Sequence, residues 1–296
     1  MAGRWCKYRE VILGILNMNI LYKYCDQLGI VKILGSLELK LPYISQVNDP
    51  LECLPVFYCP NDKSAMEAKC LCTFKRNNIN PPVNWKHKLY EQFEKGEIQE
   101  RLKESQRKLH KDWNQRKGCL LSVSKTAKEP VMWAHYAEIH KGAVIGIDFD
   151  NVSPDTNGPP GILMNSVSYS KDRPKINILE EPEGSVSPEA FRKAVMTKSD
   201  SWGYEEEFRT IFLVDSLEIM QQQGLTHLKN FKGKKTWFLR LNPKSIREII
   251  FGLYTEESLK SSIRKLLERA ELQHVKLYQA EESETYILNL VGQNRS

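Results

Sequence analysis

The chain has 296 residues, of which 41% are hydrophobic and 27% charged, enough for a sizeable core in one large or two smaller domains. Its formal net charge of +6 suits an anionic ligand or nucleic acid without requiring either. Seven cysteines, an odd number without a regular framework, argue against a secreted disulfide scaffold and for reduced thiols in a cytoplasm.

No apolar run is long enough to span a membrane. Residues 1–20 are expected to form a short amphipathic helix that leads into a strand, LYKY, in which Tyr22 and Tyr24 flank Lys23. A helix at QLGIVKILGS, a strand at ELKLP and the loop SQVNDPLE follow. The span from Cys53 to Pro82 reads as irregular. From Trp85 to Lys117 the chain is strongly charged. Leu89, Phe93, Leu102, Leu109 and Trp113 mark one stripe of a long helix, which Gly96 weakens or breaks. This stretch is expected to be an insert within a single domain covering residues 1–296.

GCLLSVS reads as a strand with Ser122 and Ser124 on one face. A helix is expected after Pro130, carrying Trp133, His135 and Tyr136 and capped by Gly142. AVIGIDFD and ILMNSVSYS are strands separated by the loop VSPDTNGPPG. PEAFRKAVMTKSD is expected to run helically into the glutamates Glu205, Glu206 and Glu207, after which FRTIFLV enters the core as a strand. Glu205 and Glu207 would share one side of an extended chain, a repulsive arrangement unless a cation, a hydroxyl or a substrate lies between them. A strand at TWFLRL, the segment NPKSIREIIFG, a helix at EESLKSSIRKLLERA, a strand at HVKLYQA and a hairpin-like YILNLV complete the chain. Mixed elements without βαβ alternation give an α+β class: one mixed domain whose central split antiparallel or mixed sheet is flanked by helices.

Dinucleotide, P-loop, H-E-x-x-H and G-x-S-x-G motifs are missing. His135 and His140, five apart, do not share a helix face, so a zinc pair there is not expected. The polar residues collect at strand ends instead: Tyr22, Lys23 and Tyr24; Asn48, Asp49 and Glu52; Ser122 and Ser124; Trp133, His135 and Tyr136; and Trp202, Tyr204, Glu205, Glu207 and Arg209. Each has a structural reading too. Asn-Asp-Pro is a common turn, the tryptophans can be core, and Glu207 with Arg209 can be a simple pair.

LYKY, KILGSLELKL, VNDPLE, SVS, VMWAHYAEIHKGAVIGIDF, KSDSWGYEEEFR and IREIIFG, in that order, resemble the family DUF2971, a domain of unknown function, from about Leu21 to the last strands. A weaker resemblance links the early tyrosine strand, the S-x-S strand and the E-x-E before a later strand to ADP-ribosyltransferases. The departure is at the first position, where those enzymes carry arginine or histidine and this chain has Lys23 between two tyrosines.

That second resemblance implies NAD as substrate and an ADP-ribosyltransferase-like fold. It makes Glu207 the stabiliser of positive charge on the ribose and Glu205 the residue that orients or deprotonates the nucleophile. Ser122, Ser124, Tyr22, Lys23, Tyr24, Trp133, His135, Tyr136 and Arg209 would form the dinucleotide cleft, with no metal. The acceptor would be nucleic acid, favoured by the basic balance, or protein. Enzymes of that class often serve as toxins in bacterial conflict or phage defence, restrained by an antitoxin-type protein. Two alternatives stand beside this reading. One is a metal-dependent nuclease with Asp49, Glu52, Glu205 and Glu207 as ligands and Lys23 near the phosphate. The other is a non-catalytic nucleotide- or partner-binding module whose glutamates tie strands to Arg209.

Overall fold

The computed structural model describes residues 20–116, 118–152, 163–182, 185–231 and 233–294. The expected N-terminal helix and most of the loop VSPDTNGPPG lie outside them. Eight strands form the main sheet in the order β15-β14-β13-β5-β1-β4-β10-β6. They are β1 (Leu21–Cys25), β4 (Gly118–Ser124), β5 (Ala143–Ile147), β6 (Leu163–Ser166), β10 (Glu207–Leu213), β13 (Ile246–Phe251), β14 (Lys276–Glu281) and β15 (Asn289–Gln293). Only the β13–β14 pair is parallel, so the sheet is mixed and the class is α+β, as the sequence leads one to expect. Three smaller sheets surround it: β2 (Glu38–Leu41) with β11 (Thr226–Phe231) and β12 (Lys234–Arg240), β3 (Val56–Tyr58) with β8 (Lys175–Asn177), and β7 (Ser168–Ser170) with β9 (Thr197–Ser199).

Period-two alternation divides the sheet into two buried faces. Leu21, Cys25, Leu121, Val123, Ile145, Phe208, Ile249 and Phe251 belong to one core. Helices α1 (Gln27–Ser36) and α8 (Glu257–Leu266) cover it with Ile30, Leu34, Leu259 and Ile263. The first of these starts at Asp26, whose carboxylate accepts from the Gly29 amide at 2.5 Å, and ends at left-handed Leu37. On the other face, Tyr24, Val144, Ile250 and Ala280 pack with Trp133, and Leu120 and Ile211 pack with Ile44 and Val195. This second face carries the polar residues of interest.

Three expectations need correction, and a fourth, the break at Gly96, is met. The span from Cys53 to Pro82 is not irregular: it holds β3 and the helix α2 (Lys63–Arg76), capped by Asp62. The charged insert is two helices, α3 (Trp85–Glu94) and α4 (Glu97–Arg116), broken at Gly96, whose φ of 73° ends a helix readily. The helix α5 (Pro130–Tyr136) stops well before Gly142, because Glu138, Ile139 and His140 all take left-handed backbone. That turn lets Gly142 lie against β1, where a Cβ would come within 2.0 Å of the Cys25 carbonyl oxygen. Finally, α6 (Pro188–Val195) does not run into the glutamates. The chain leaves it for β9 and a 3-10 turn over Asp200–Glu205.

Candidate functional site

The register of three neighbouring strands builds the centre of the site. Tyr22 on β1 stands opposite Ser124 on β4, and Ser124 stands opposite Glu207 on β10. Directly opposed residues of antiparallel strands face the same side. The tyrosine strand, the S-x-S strand and the E-x-E segment therefore meet in one row. Continued the other way, the row runs through Gly146 to Glu248.

The three consecutive glutamates do not form an extended run. Glu205 ends the 3-10 turn, Glu206 takes a left-handed backbone with φ 43°, and Glu207 opens the strand. Both outer carboxylates still reach one cation. Lys198 Nζ lies 2.5 Å from Glu205 Oε2 and 3.2 Å from Glu207 Oε2. It also lies 3.6 Å from Glu52 Oε2. Arg209 donates from Nε to Glu207 Oε1 at 2.8 Å and from Nη2 to Glu207 Oε2 at 2.9 Å, and it pairs with Glu52 as well. A further Arg209 nitrogen donates to the Val195 carbonyl at 2.5 Å. Tyr136 donates to Glu205 Oε1 at 2.6 Å. Ser124 donates to the Glu205 carbonyl at 2.7 Å and so pins the turn to β4. The Tyr169 hydroxyl accepts from the Glu207 amide at 2.8 Å.

Glu52, Glu205, Glu207, Lys198 and Arg209 are all buried, so their charges act on each other with little screening. Burial alone would raise the Glu207 pKa, but Arg209 and Lys198 override it and hold the carboxyl at about 2. Glu205 moves the other way: burial raises it, against the opposing Lys198 and Tyr136. Lys198 is kept charged by the surrounding carboxylates despite its own burial. Two neighbouring carboxyls are thus driven apart, one held low by its cations and the other raised by burial.

Aromatic rings form the lip of this cluster. Exposed His135 has ring centroids of Tyr136, Trp202 and Tyr204 at 6.1, 6.1 and 6.2 Å. Lys198 Nζ lies 5.0 Å from the Trp202 ring centroid. Trp202 Nε1 donates to Asp49 Oδ2 at 3.2 Å, and Asp49 Oδ1 accepts from Leu51 within the Asn-Asp-Pro turn. This turn delivers Glu52 to Arg209.

The remaining candidates are structural. Trp133 is fully buried and donates Nε1 to the Ala127 carbonyl at 2.8 Å. Tyr24 packs edge-on against Trp133 and donates to the Thr126 carbonyl at 3.0 Å. Lys23, opposite Ile145, lies on the other face of the sheet and donates to the Ser122 carbonyl at 2.9 Å; burial lowers its pKa. It therefore does not line the cleft with Tyr22. Arg209 is committed to Glu207 and Glu52 and is not free to meet a pyrophosphate. Ser122 shares the row's face, and its hydroxyl helps to keep Glu207 ionised.

The carboxylates proposed as nuclease ligands are bridged by Lys198 and Arg209, and Asp49 is turned to Trp202. Among the described residues, no group of His, Cys, Asp and Glu is arranged to hold a metal ion. Lys198 is the residue that sequence reasoning misses. It sits on a three-residue strand, seven positions before Glu205, where no periodicity singles it out.

Residues 132–210 match the model of a family described as a protein of unknown function, DUF2971. The match contains Tyr136, Lys198, Glu205, Glu207 and Arg209 but neither Tyr22 nor the serine strand. No curated protein and no solved structure matches the chain. Among the described residues, no helix is long and apolar enough to cross a membrane.

Proposed function

We propose that this protein is an NAD-dependent ADP-ribosyltransferase that modifies a macromolecule. The observation that carries the reading is the row Tyr22–Ser124–Glu207 across three adjacent strands, with Glu205 beside it. In the reaction, the bond from ribose C1′ to nicotinamide breaks and its electron pair leaves with nicotinamide. An acceptor oxygen or nitrogen forms the new bond to C1′ and gives up its proton. Glu207, held ionised by Arg209 and Lys198, supplies the negative charge that stabilises the cationic ribose. Glu205, with its raised pKa, takes the proton. Tyr136 orients Glu205, and Trp202, Tyr204 and His135 offer ring surface to the nicotinamide end.

The net charge of +6 favours a nucleic-acid acceptor over a protein. A role as toxin or phage-defence effector, with an antitoxin-type partner, rests on the resemblance to that enzyme class alone. The experiment is incubation of the pure protein with labelled NAD and total cellular RNA, DNA and protein. Label should enter one macromolecular fraction, nucleic acid foremost.

A second reading has its own observation. Both oxygens of Glu205 and both of Glu207 already have partners inside the chain. In this reading the cluster is a clamp that fixes β9, β10 and the Asn-Asp-Pro loop around a non-catalytic binding surface. Absence of label from every fraction, together with a large loss of stability when the cluster is cut, would favour it.

A further inference from the structure

A cavity of about 440 Å³ lies at the other end of the polar row, lined by Ile20, Lys244, Arg247, Glu248, His274 and Lys276. Its size is in the range of small-molecule sites. Three of the six lining side chains, Lys244, Arg247 and Lys276, are cationic, against one carboxylate. That carboxylate is turned to Tyr22, whose hydroxyl is driven far above its ordinary pKa by burial and then by Glu248. Among the described residues, neither Lys244 nor Lys276 makes a side-chain hydrogen bond or ion pair. Arg247 has only Asp148, at 3.9 Å. His274 spends Nε2 on the Ile246 carbonyl at 2.9 Å. Two lysines without a side-chain partner and an arginine held only by a 3.9 Å ion pair, gathered around a hollow, are a ready anion site.

The fold assembles this site by two local devices. The β5–β13 ladder slips between Ile246 and Glu248, leaving Arg247 as an extra residue. Such a bulge re-aims a side chain, and it puts Arg247 at the cavity beside Glu248. Gly146, opposite both Tyr22 and Glu248, has no side chain; a Cβ would meet Glu248 Cγ at 2.5 Å and Ile20 Cγ2 at 2.9 Å. Glycine is what lets Glu248 and Ile20 lie across the sheet there. From Glu248 to Glu207 the row crosses four interstrand steps of roughly 4.8 Å, about 19 Å between backbones. Ser124 and Glu207 are both buried along it, which makes the cavity a place apart from the Glu207 cluster.

We infer that this cavity is a phosphate site that takes the diphosphate of a nucleotide, separate from the Glu207 cluster. The anion preference follows from the cavity itself and does not depend on the function proposed above. Phosphate oxygens pair with Arg247, Lys276 and Lys244.

The test is calorimetric titration of the full chain with ADP, inorganic pyrophosphate and adenosine at low ionic strength. ADP and pyrophosphate should bind and adenosine should not. Arg247→Gln and Lys276→Gln, both at exposed positions that leave the core intact, should each weaken ADP about tenfold or more. A control pair on α4, Lys103→Gln with Lys108→Gln, should leave ADP affinity unchanged. The subsite is overturned if wild-type protein binds neither anion, if adenosine binds as well as ADP, or if the cavity variants match wild type. Failure here is separable from failure of the enzymatic reading. NAD turnover with unchanged ADP affinity in the variants removes the subsite only. Cavity-dependent ADP binding without NAD turnover removes the transferase reading and leaves a nucleotide site.

Discussion

The ammonium of Lys198 lies 3.2 Å from the carboxylate of Glu207, with both groups buried. It lies between the two glutamates that flank Glu206, and this contact answers the repulsion expected of them. Removing it leaves Glu52, Glu205 and Glu207 to share Arg209, which makes direct ion pairs only with Glu52 and Glu207. Lys198→Met should therefore lower unfolding stability by about 3–5 kcal/mol in chemical denaturation. Adding Glu205→Gln should recover part of the loss, since the two residues are in contact and their effects cannot be additive.

Acid should expose the same network. The ordinary glutamate pKa is 4.5, and Glu207 in the folded protein titrates at about 2. Its contribution to stability is complete above pH 4.5 and is lost as pH falls toward 2. Glu205 has the opposite sign: with a raised folded pKa, its ionisation costs stability as pH rises through that value. Wild-type protein should lose a few kcal/mol from Glu207 across the acid window. Glu207→Gln should be less stable at neutral pH and show a flatter acid limb, measured by denaturant titration at several pH values.

Tyr136 holds the Glu205 carboxylate by a 2.6 Å hydrogen bond, which opposes the burial-driven rise of the Glu205 pKa. Tyr136→Phe removes that opposition. If Glu205 is the base, the acid limb of the pH–rate profile should move to higher pH, with KM for NAD little changed. A purely structural Tyr136 would lower stability without moving the profile.

Much of the frame is legible in the sequence because apolar runs rich in β-branched and aromatic residues mark most of the main-sheet strands, and strands with buried faces have one register. GCLLSVS, AVIGI, FRTIFLV and the closing hairpin are of this kind. The site is legible as far as its strand-borne members go: Tyr22, Ser124 and Glu207 share a row because each lies on a strong strand. What is illegible depends on short or irregular elements. The strand of Lys198 has three residues, and the turn before Glu207 needs a left-handed Glu206 that no local pattern announces. Glu52 is visible as an acidic residue near Asn-Asp-Pro, but its partner Arg209 is 157 residues away. Lys23 is misread because its two tyrosine neighbours lie on the site's face of the sheet while it lies on the opposite one.

The most direct test is nicotinamide release from NAD in the presence of cellular nucleic acid and protein, comparing wild type with Glu207→Gln after circular dichroism has shown both to be folded. Wild type should release nicotinamide and label an acceptor, and the variant should be slower by at least about a hundredfold. No release by wild type with any fraction, or equal release by the folded variant, would contradict a catalytic role for the row that ends at Glu207.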